Sequence, residues 1–143
     1  MAPRTPCPDL ACDHLLPACP NARVLIGGLG MGFTLAAALR RLGPEAVVEV
    51  AEMVPVVIKW NQGIVGEVAG RPLDDPRARV YQGDVADLIQ MPPTPWDAIL
   101  LDVDNGPVAL TREGNSWLYS WQGLQAAFDA LRPRGAGGLV RRR

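Results

Sequence analysis

The segment Gly27-Gly28-Leu29-Gly30-Met31-Gly32 constrains this chain more than any other stretch. Glycine accepts positive φ and lets another group approach the backbone, so a glycine run between two patterned segments marks a sharp, crowded turn. In front of it lies an apolar run over 23–26. Behind it Leu35, Ala38, Leu39 and Leu42 recur at helical spacing until Gly43-Pro44. A short, nearly continuous apolar run closed by glycine reads as a buried parallel strand. The glycines therefore join a strand to a helix, whose first turn offers free N–H groups and a partial positive charge. Such a turn can cradle a pyrophosphate. It can equally support the amino-acid end and sugar of an adenosylmethionine, or be a tight turn with no ligand.

The same unit then repeats. Residues 46–51 are β-branched and apolar and end at Glu52; Pro55 suits the first turn of a helix carrying Val56, Val57, Trp60 and Ile64 on one side. A third strand over 77–81 closes at Gly83-Asp84, and Asp84 can cap a short helix over 85–90. A fourth strand over 96–101 ends at Asp102, and Asn105-Gly106-Pro107 makes a turn. Residues 116–131 read as one amphipathic helix stopped by Pro133. Trp60, Trp96, Trp117, Tyr119 and Trp121 read as packing residues, with Trp117 and Trp121 on one helix face. Strands alternating with helices predict an α/β, Rossmann-like fold: a mostly parallel sheet with helices on both faces. Ligands of such sheets sit beyond the carboxyl ends of the strands, and the polar residues here fall at those ends.

Bulk properties narrow the function classes. The chain has 143 residues, the size of one domain, and a net charge of −1, which gives no general attraction to nucleic acid or to an anionic membrane. No apolar run approaches the roughly 20 residues that span a bilayer, and residues 1–6 do not read as a signal peptide. A cytoplasmic protein is expected. Cys7, Cys12 and Cys19 cluster near His14 in the first twenty residues. Their odd number closes no disulfide framework, and their spacing fits no standard zinc site, so no metal is expected. The organisation expected is an irregular lead over 1–20, a nucleoside-binding domain over 21–133 and a Gly/Arg tail over 134–143.

Each strand end has a chemical use. The G-x-G-x-G run of Gly28, Gly30 and Gly32, with Gly27 before it, departs from the dinucleotide pattern G-x-G-x-x-G, because the last position is Phe33. It is the form found in adenosylmethionine-type sites. Glu52 can accept hydrogen bonds from both ribose hydroxyls, or be a solvated acid at a helix start. Asp84, flanked by Val85, can bond an adenine amino group, cap its helix, or do both. Asp102 and Asp104, two apart, can face one pocket and hold a cationic amine or take its proton. They can also serve only the loop, Asp102 at the strand end and Asp104 at the Asn-Gly turn.

The stretches RVLIGGLGMGFTLAAAL, VVEVAE, GDVADLI and WDAILLDVDNGP, in that order, resemble the spermidine synthase (aminopropyltransferase) superfamily over about residues 22–133. The resemblance implies a fold shared with class I methyltransferases and a transferase moving an aminopropyl group from decarboxylated S-adenosylmethionine to an amine, with methylthioadenosine as product. It implies Glu52 at the ribose, Asp84 near the adenine, Asp102 near the transferred group, and a homodimer. Three departures qualify it. There is no room for the family's N-terminal hairpin domain. The family's glycine-loop aspartate, which disfavours a carboxylated ligand, is Gly30 here, as in methyltransferases that use S-adenosylmethionine itself. The family's longer aspartate motif is shortened, so that Asp102 carries over and Asp104 only loosely.

Small-molecule methyl transfer is therefore a second expectation, and a non-catalytic remnant or interaction module a third. After Pro133 the fold calls for an apolar fifth strand, but the sequence turns to glycine and arginine. A change of reading frame at that point would remove the C-terminal strands; the alternative is a naturally short basic tail.

Overall fold

The computed structural model of the chain describes Leu16, residues 19–103 and residues 116–139. The elements run β1 (Arg23–Gly27), α1 (Phe33–Arg41), β2 (Val47–Glu52), α2 (Pro55–Gln62) and α3 (Ile64–Val68), followed by a 3-10 turn (Pro72–Asp74). They continue with β3 (Ala78–Gln82), α4 (Val85–Gln90), β4 (Trp96–Leu101), α5 (Trp121–Ala130) and β5 (Leu131–Leu139). Five strands form one sheet in the order β3-β2-β1-β4-β5, and every pairing is parallel. The chain builds outward from β1 to β3, then returns to the other side of β1 for β4. Strand order thus reverses between β1 and β4, where open α/β sheets bind ligands.

Strand alternation sorts the core into two layers. Val24, Ile26, Val48, Val50, Ala98 and Leu100 face α1 and α2, meeting Leu35, Ala38, Leu39 and Ile58. Leu25, Ala51, Ile99 and Leu101 face the other way, meeting Val85, Leu88 and Ile89 of α4 and Ala130 of α5. Helices therefore cover both faces, as expected. Strands β1 and β4 are buried along their whole length, and β3, at one edge, is largely exposed. Cys19 packs in the first layer and is disulfide-bonded. Cys7, Cys12 and His14 lie outside the described residues.

The structure corrects four expectations. The helix after β2 breaks at Gly63, whose N–H bonds to the Trp60 carbonyl at 3.1 Å. Its buried residues are Ile58 and Asn61, and Val56, Trp60 and Ile64 are exposed. The helix expected over 116–131 is interrupted: residues 116–118 are helical, the chain turns at 119–120, and α5 starts afresh at Trp121. The interruption is chemical: the Ser120 hydroxyl accepts from the Gly123 N–H at 3.1 Å and caps a new helix. Trp117 is therefore half-buried while Trp121 is 78% exposed, so the two do not share a packed face.

The fourth correction concerns the tail. Residues 134–139 do not leave the domain; they continue β5, registered from Ala98↔Ala136 to Leu101↔Leu139. An edge strand needs only backbone groups to pair with its neighbour. The register irregularity between Trp96 and Ala98 falls opposite Pro133, which has no N–H to donate. Among the described residues no helix is long and apolar enough to cross a membrane.

Candidate functional site

The carboxyl edge of the sheet is tied together by backbone hydrogen bonds. Gly28 N–H donates to the Ala51 carbonyl at 2.8 Å, Asp102 N–H to the Gly27 carbonyl at 2.8 Å, and Gly83 N–H to the Glu52 carbonyl at 3.0 Å. The ends of β1, β2, β3 and β4 thus hold one another in register, and the side chains leaving them share one rim. Gly27, Gly28, Gly30, Gly32, Glu52, Asp84, Val85 and Asp102 all stand there, as the topology predicts. Asp104 lies outside the described residues.

The glycine turn has positive φ at Gly28 (91°), Gly30 (51°) and Gly32 (81°). The three differ in their surroundings. A Cβ on Gly28 would run into the Asp102 backbone carbonyl, so β1 and the start of the loop after β4 approach too closely for any side chain. A Cβ on Gly32 would lie 2.9 Å from Asn61 Oδ1 and 3.1 Å from Pro72 Cγ. At Gly30 no atom lies within 4 Å of the same point. Packing fixes two glycines, and the third faces open space.

Glu52 is bound into this turn. Its Oε2 accepts the Leu29 N–H at 3.0 Å and its Oε1 accepts the Val54 N–H at 2.9 Å. Both donors are neutral backbone groups. A carboxylate offers about four lone-pair sites, so about two stay available for hydroxyl donors from a ligand. The same two bonds fix the carboxylate over the glycine turn instead of leaving it to sweep through solvent.

Asp84 caps α4, with Oδ1 accepting from the Ala86 N–H at 2.8 Å. The capping role is therefore real, and the second oxygen is left for another use. Val85 is buried, and its methyls lie 3.1–3.2 Å from where a Cβ on Gly27 would be. It acts as a wedge beneath the end of β1. Asp102 leaves the end of β4, half-buried, and its Oδ2 accepts the Thr34 hydroxyl at 2.5 Å. Thr34 is the second residue of α1, so the helix behind the glycine turn orients the carboxylate at the end of β4. Among the described residues no three His, Cys, Asp or Glu side chains gather as a metal ion would require.

Two site residues escaped the sequence reading. Thr34 offers a modest signal, a hydroxyl in the first turn of the helix behind the glycines. Asn61 offers none, because its helix face reads as solvent-facing once Val56, Trp60 and Ile64 are taken as the packed side. In the structure Asn61 is buried beneath the glycine turn and donates to the Gly30 carbonyl at 2.7 Å.

Compared by sequence, the chain matches no protein-family profile and no curated protein. Compared by structure, it is similar to a spermidine synthase in complex with the transition-state analogue AdoDATO. The TM-score is 0.61 at 24% identity, over 80% of this chain and 35% of that one. It is similar to TrmN from Thermus thermophilus, with a TM-score of 0.61 at 25% identity, over 84% of this chain and 33% of that one. It is also similar to human methyltransferase-like protein 13 in complex with SAH, with a TM-score of 0.55 at 23% identity, over 81% of this chain and 52% of that one. The chain spans about a third of the length of the first two. The fold is the one shared by spermidine synthases and class I methyltransferases.

Proposed function

We propose that this chain is the nucleoside-binding part of a transferase that holds an adenosyl sulfonium and moves an alkyl group from it to an acceptor amine. The carrying observation is Glu52. Its carboxylate is fixed over the glycine turn by the Leu29 and Val54 N–H groups and keeps acceptor capacity for two ribose hydroxyls. The similar structures that hold AdoDATO and SAH lend support. In this reading Asp84 and Val85 flank the adenine.

The chemistry asked of the protein is modest. A sulfonium is already a good leaving group, so positioning and proton removal are what the site adds. The acceptor nitrogen attacks the carbon next to sulfur. The new C–N bond forms as the C–S bond breaks, its electron pair goes to sulfur, and a neutral thioether departs. Asp102, oriented by Thr34, holds the cationic amine or takes the proton that the nitrogen sheds. Asp104 belongs to the same proposal by its spacing.

Gly30 favours a second reading beside aminopropyl transfer. The space at its Cβ position is empty, so nothing there repels the carboxylate of intact S-adenosylmethionine. A methyl transferase using that cofactor fits this corner as well as an aminopropyltransferase does.

Calorimetric titration with S-adenosylmethionine, its decarboxylated form and methylthioadenosine tests the proposal. Wild-type protein is expected to bind all three and to hold the carboxylated sulfonium at least as tightly as the decarboxylated one. Gly30→Asp is sterically permitted, since an aspartate tolerates φ near 51° and meets open space. It should reverse that preference by about tenfold or more through like-charge repulsion. A folded protein that binds none of the three overturns the reading.

A further inference from the structure

Asn61 is a buried polar side chain that no role described so far uses. It is 2% exposed, on the last turn of α2. Its Nδ2 donates twice, to the Gly30 carbonyl at 2.7 Å and to the Val57 carbonyl one turn earlier at 2.9 Å. Its Oδ1 is buried with no hydrogen-bond partner among the described residues and faces the Cα of Gly32. Burying an acceptor unpaired is costly, and natural cores seldom do it. The opposite orientation of the amide would be worse, since it would set an oxygen against two carbonyls and lose both bonds. The side chain is therefore held in one orientation by the need to supply two donors from one nitrogen.

The consequence lies in the glycine turn. The peptide between Gly30 and Met31 is trans, so its carbonyl and its N–H point in opposite directions. Drawing the Gly30 carbonyl down onto α2 turns the Met31 N–H away from α2. Gly30 is free to adopt the required φ of 51°, and its outer side is open. Without Asn61 only the Gly32 N–H to Leu29 carbonyl bond at 2.8 Å closes this turn, and its central peptide can rotate more readily because Gly30 has no Cβ.

We infer that Asn61 is a positioning residue: it orients the Gly30–Met31 peptide so that the Met31 N–H is presented to the carboxylate of the ligand's amino-acid end. This rests on the adenosyl-sulfonium reading and adds the residue that decides how the amino-acid end is held. A merely structural Asn61 would affect every adenosyl ligand alike. The positioning role affects only ligands that carry the carboxylate.

The test uses that difference. In the wild-type protein, amide hydrogen exchange at Met31 is expected to slow on saturation with S-adenosylmethionine and to stay unchanged with methylthioadenosine, which lacks the amino-acid end. In Asn61→Ala, affinity for S-adenosylmethionine should fall about tenfold more than affinity for methylthioadenosine, the scale of one hydrogen bond to a charged group. Equal losses for the two ligands overturn the inference and leave the adenosyl reading standing. An unchanged Met31 amide in protein saturated with S-adenosylmethionine does the same, and it decides the matter should Asn61→Ala fail to fold. Failure of the wild type to bind either ligand overturns both readings together.

Discussion

The two edges of the sheet treat charge in opposite ways. At the amino edge, carboxylates meet guanidinium groups. Asp97 Oδ2 accepts the Arg23 backbone N–H at 2.7 Å and its Oδ1 lies 3.3 Å from Arg132 Nη1. Arg23 reaches Glu49 at 3.5 Å and stacks its guanidinium over the Trp96 ring, 4.5 Å from the centroid. At the carboxyl edge, Glu52 meets two backbone N–H groups, and Asp102 meets the Thr34 hydroxyl. Neutral donors orient a carboxylate without cancelling its charge. The amino edge is closed and its charges are consumed by one another. At the carboxyl edge Glu52 keeps acceptor capacity for further donors, which suits a ligand bearing hydroxyls. The comparison predicts that mutations at the amino edge cost stability, and that mutations at the carboxyl edge cost binding.

The largest effect is expected at Asp97. It is buried, and truncation leaves the Arg23 N–H without its acceptor and Arg132 without its partner. Breaking a buried pair from one side costs about 3–5 kcal/mol, so Asp97→Ala should lower the urea midpoint steeply. Ligand affinity of whatever fraction stays folded should hold. A loss under about 1 kcal/mol would show that the amino edge is not the closed network described.

Glu52→Ala is the mirror experiment, with a smaller free-energy change. Two hydrogen bonds to ribose, accepted by a charged group, are worth together about 2–4 kcal/mol. Methylthioadenosine affinity should therefore fall by at least thirtyfold or so. The unfolding midpoint should move less than in Asp97→Ala, because the exposed Val54 N–H can be taken up by water and only the Leu29 N–H is partly buried. Binding that survives the substitution would remove Glu52 from the site and with it the chief support for the adenosyl reading.

What the sequence made legible follows from range. The strands were readable because β1 and β4 are buried on both faces and so are nearly continuous apolar runs. The rim was readable because topology alone brings strand ends together, so Glu52, Asp84 and Asp102 could be assigned to one edge. The contacts that orient those residues were not readable. Thr34 meets Asp102 across 68 residues of chain, and Asn61 meets Gly30 across 31. The face of α2 was misread for a physical reason. Its apolar residues Val56 and Trp60, like Ile64 at the start of α3, look outward, because the inner face of α2 must supply an amide to the glycine turn as well as Ile58 to the core. Periodicity registers apolar burial and is blind to a polar residue that is buried for its donors. The fifth strand was missed similarly: pairing with β4 is made by backbone, which glycine supplies as well as any residue.

The smallest predicted effect sharpens the contrast by pH. Asp75 and Arg77 stand just before β3, at the amino edge. The guanidinium lies 2.7 Å from the carboxylate and donates to the Leu42 and Gly43 carbonyls at the end of α1, at 2.9 and 3.2 Å. The hydrogen bond from Arg77 holds the Asp75 carboxyl below its ordinary value of 3.8. A carboxyl whose pKa is lowered by folding contributes stability that is complete above the unfolded value and is lost as pH falls through the folded one. Both side chains are only partly buried, so the contribution is under about 1 kcal/mol. Stability measured from pH 6 to pH 3 should therefore fall below about pH 4 in the wild type, and Asp75→Asn should flatten part of that fall while lowering the plateau above it. High salt should shrink the difference between the two proteins. Identical acid profiles for wild type and Asp75→Asn would mean that this pair, unlike Asp97 and its partners, adds nothing to the closed edge.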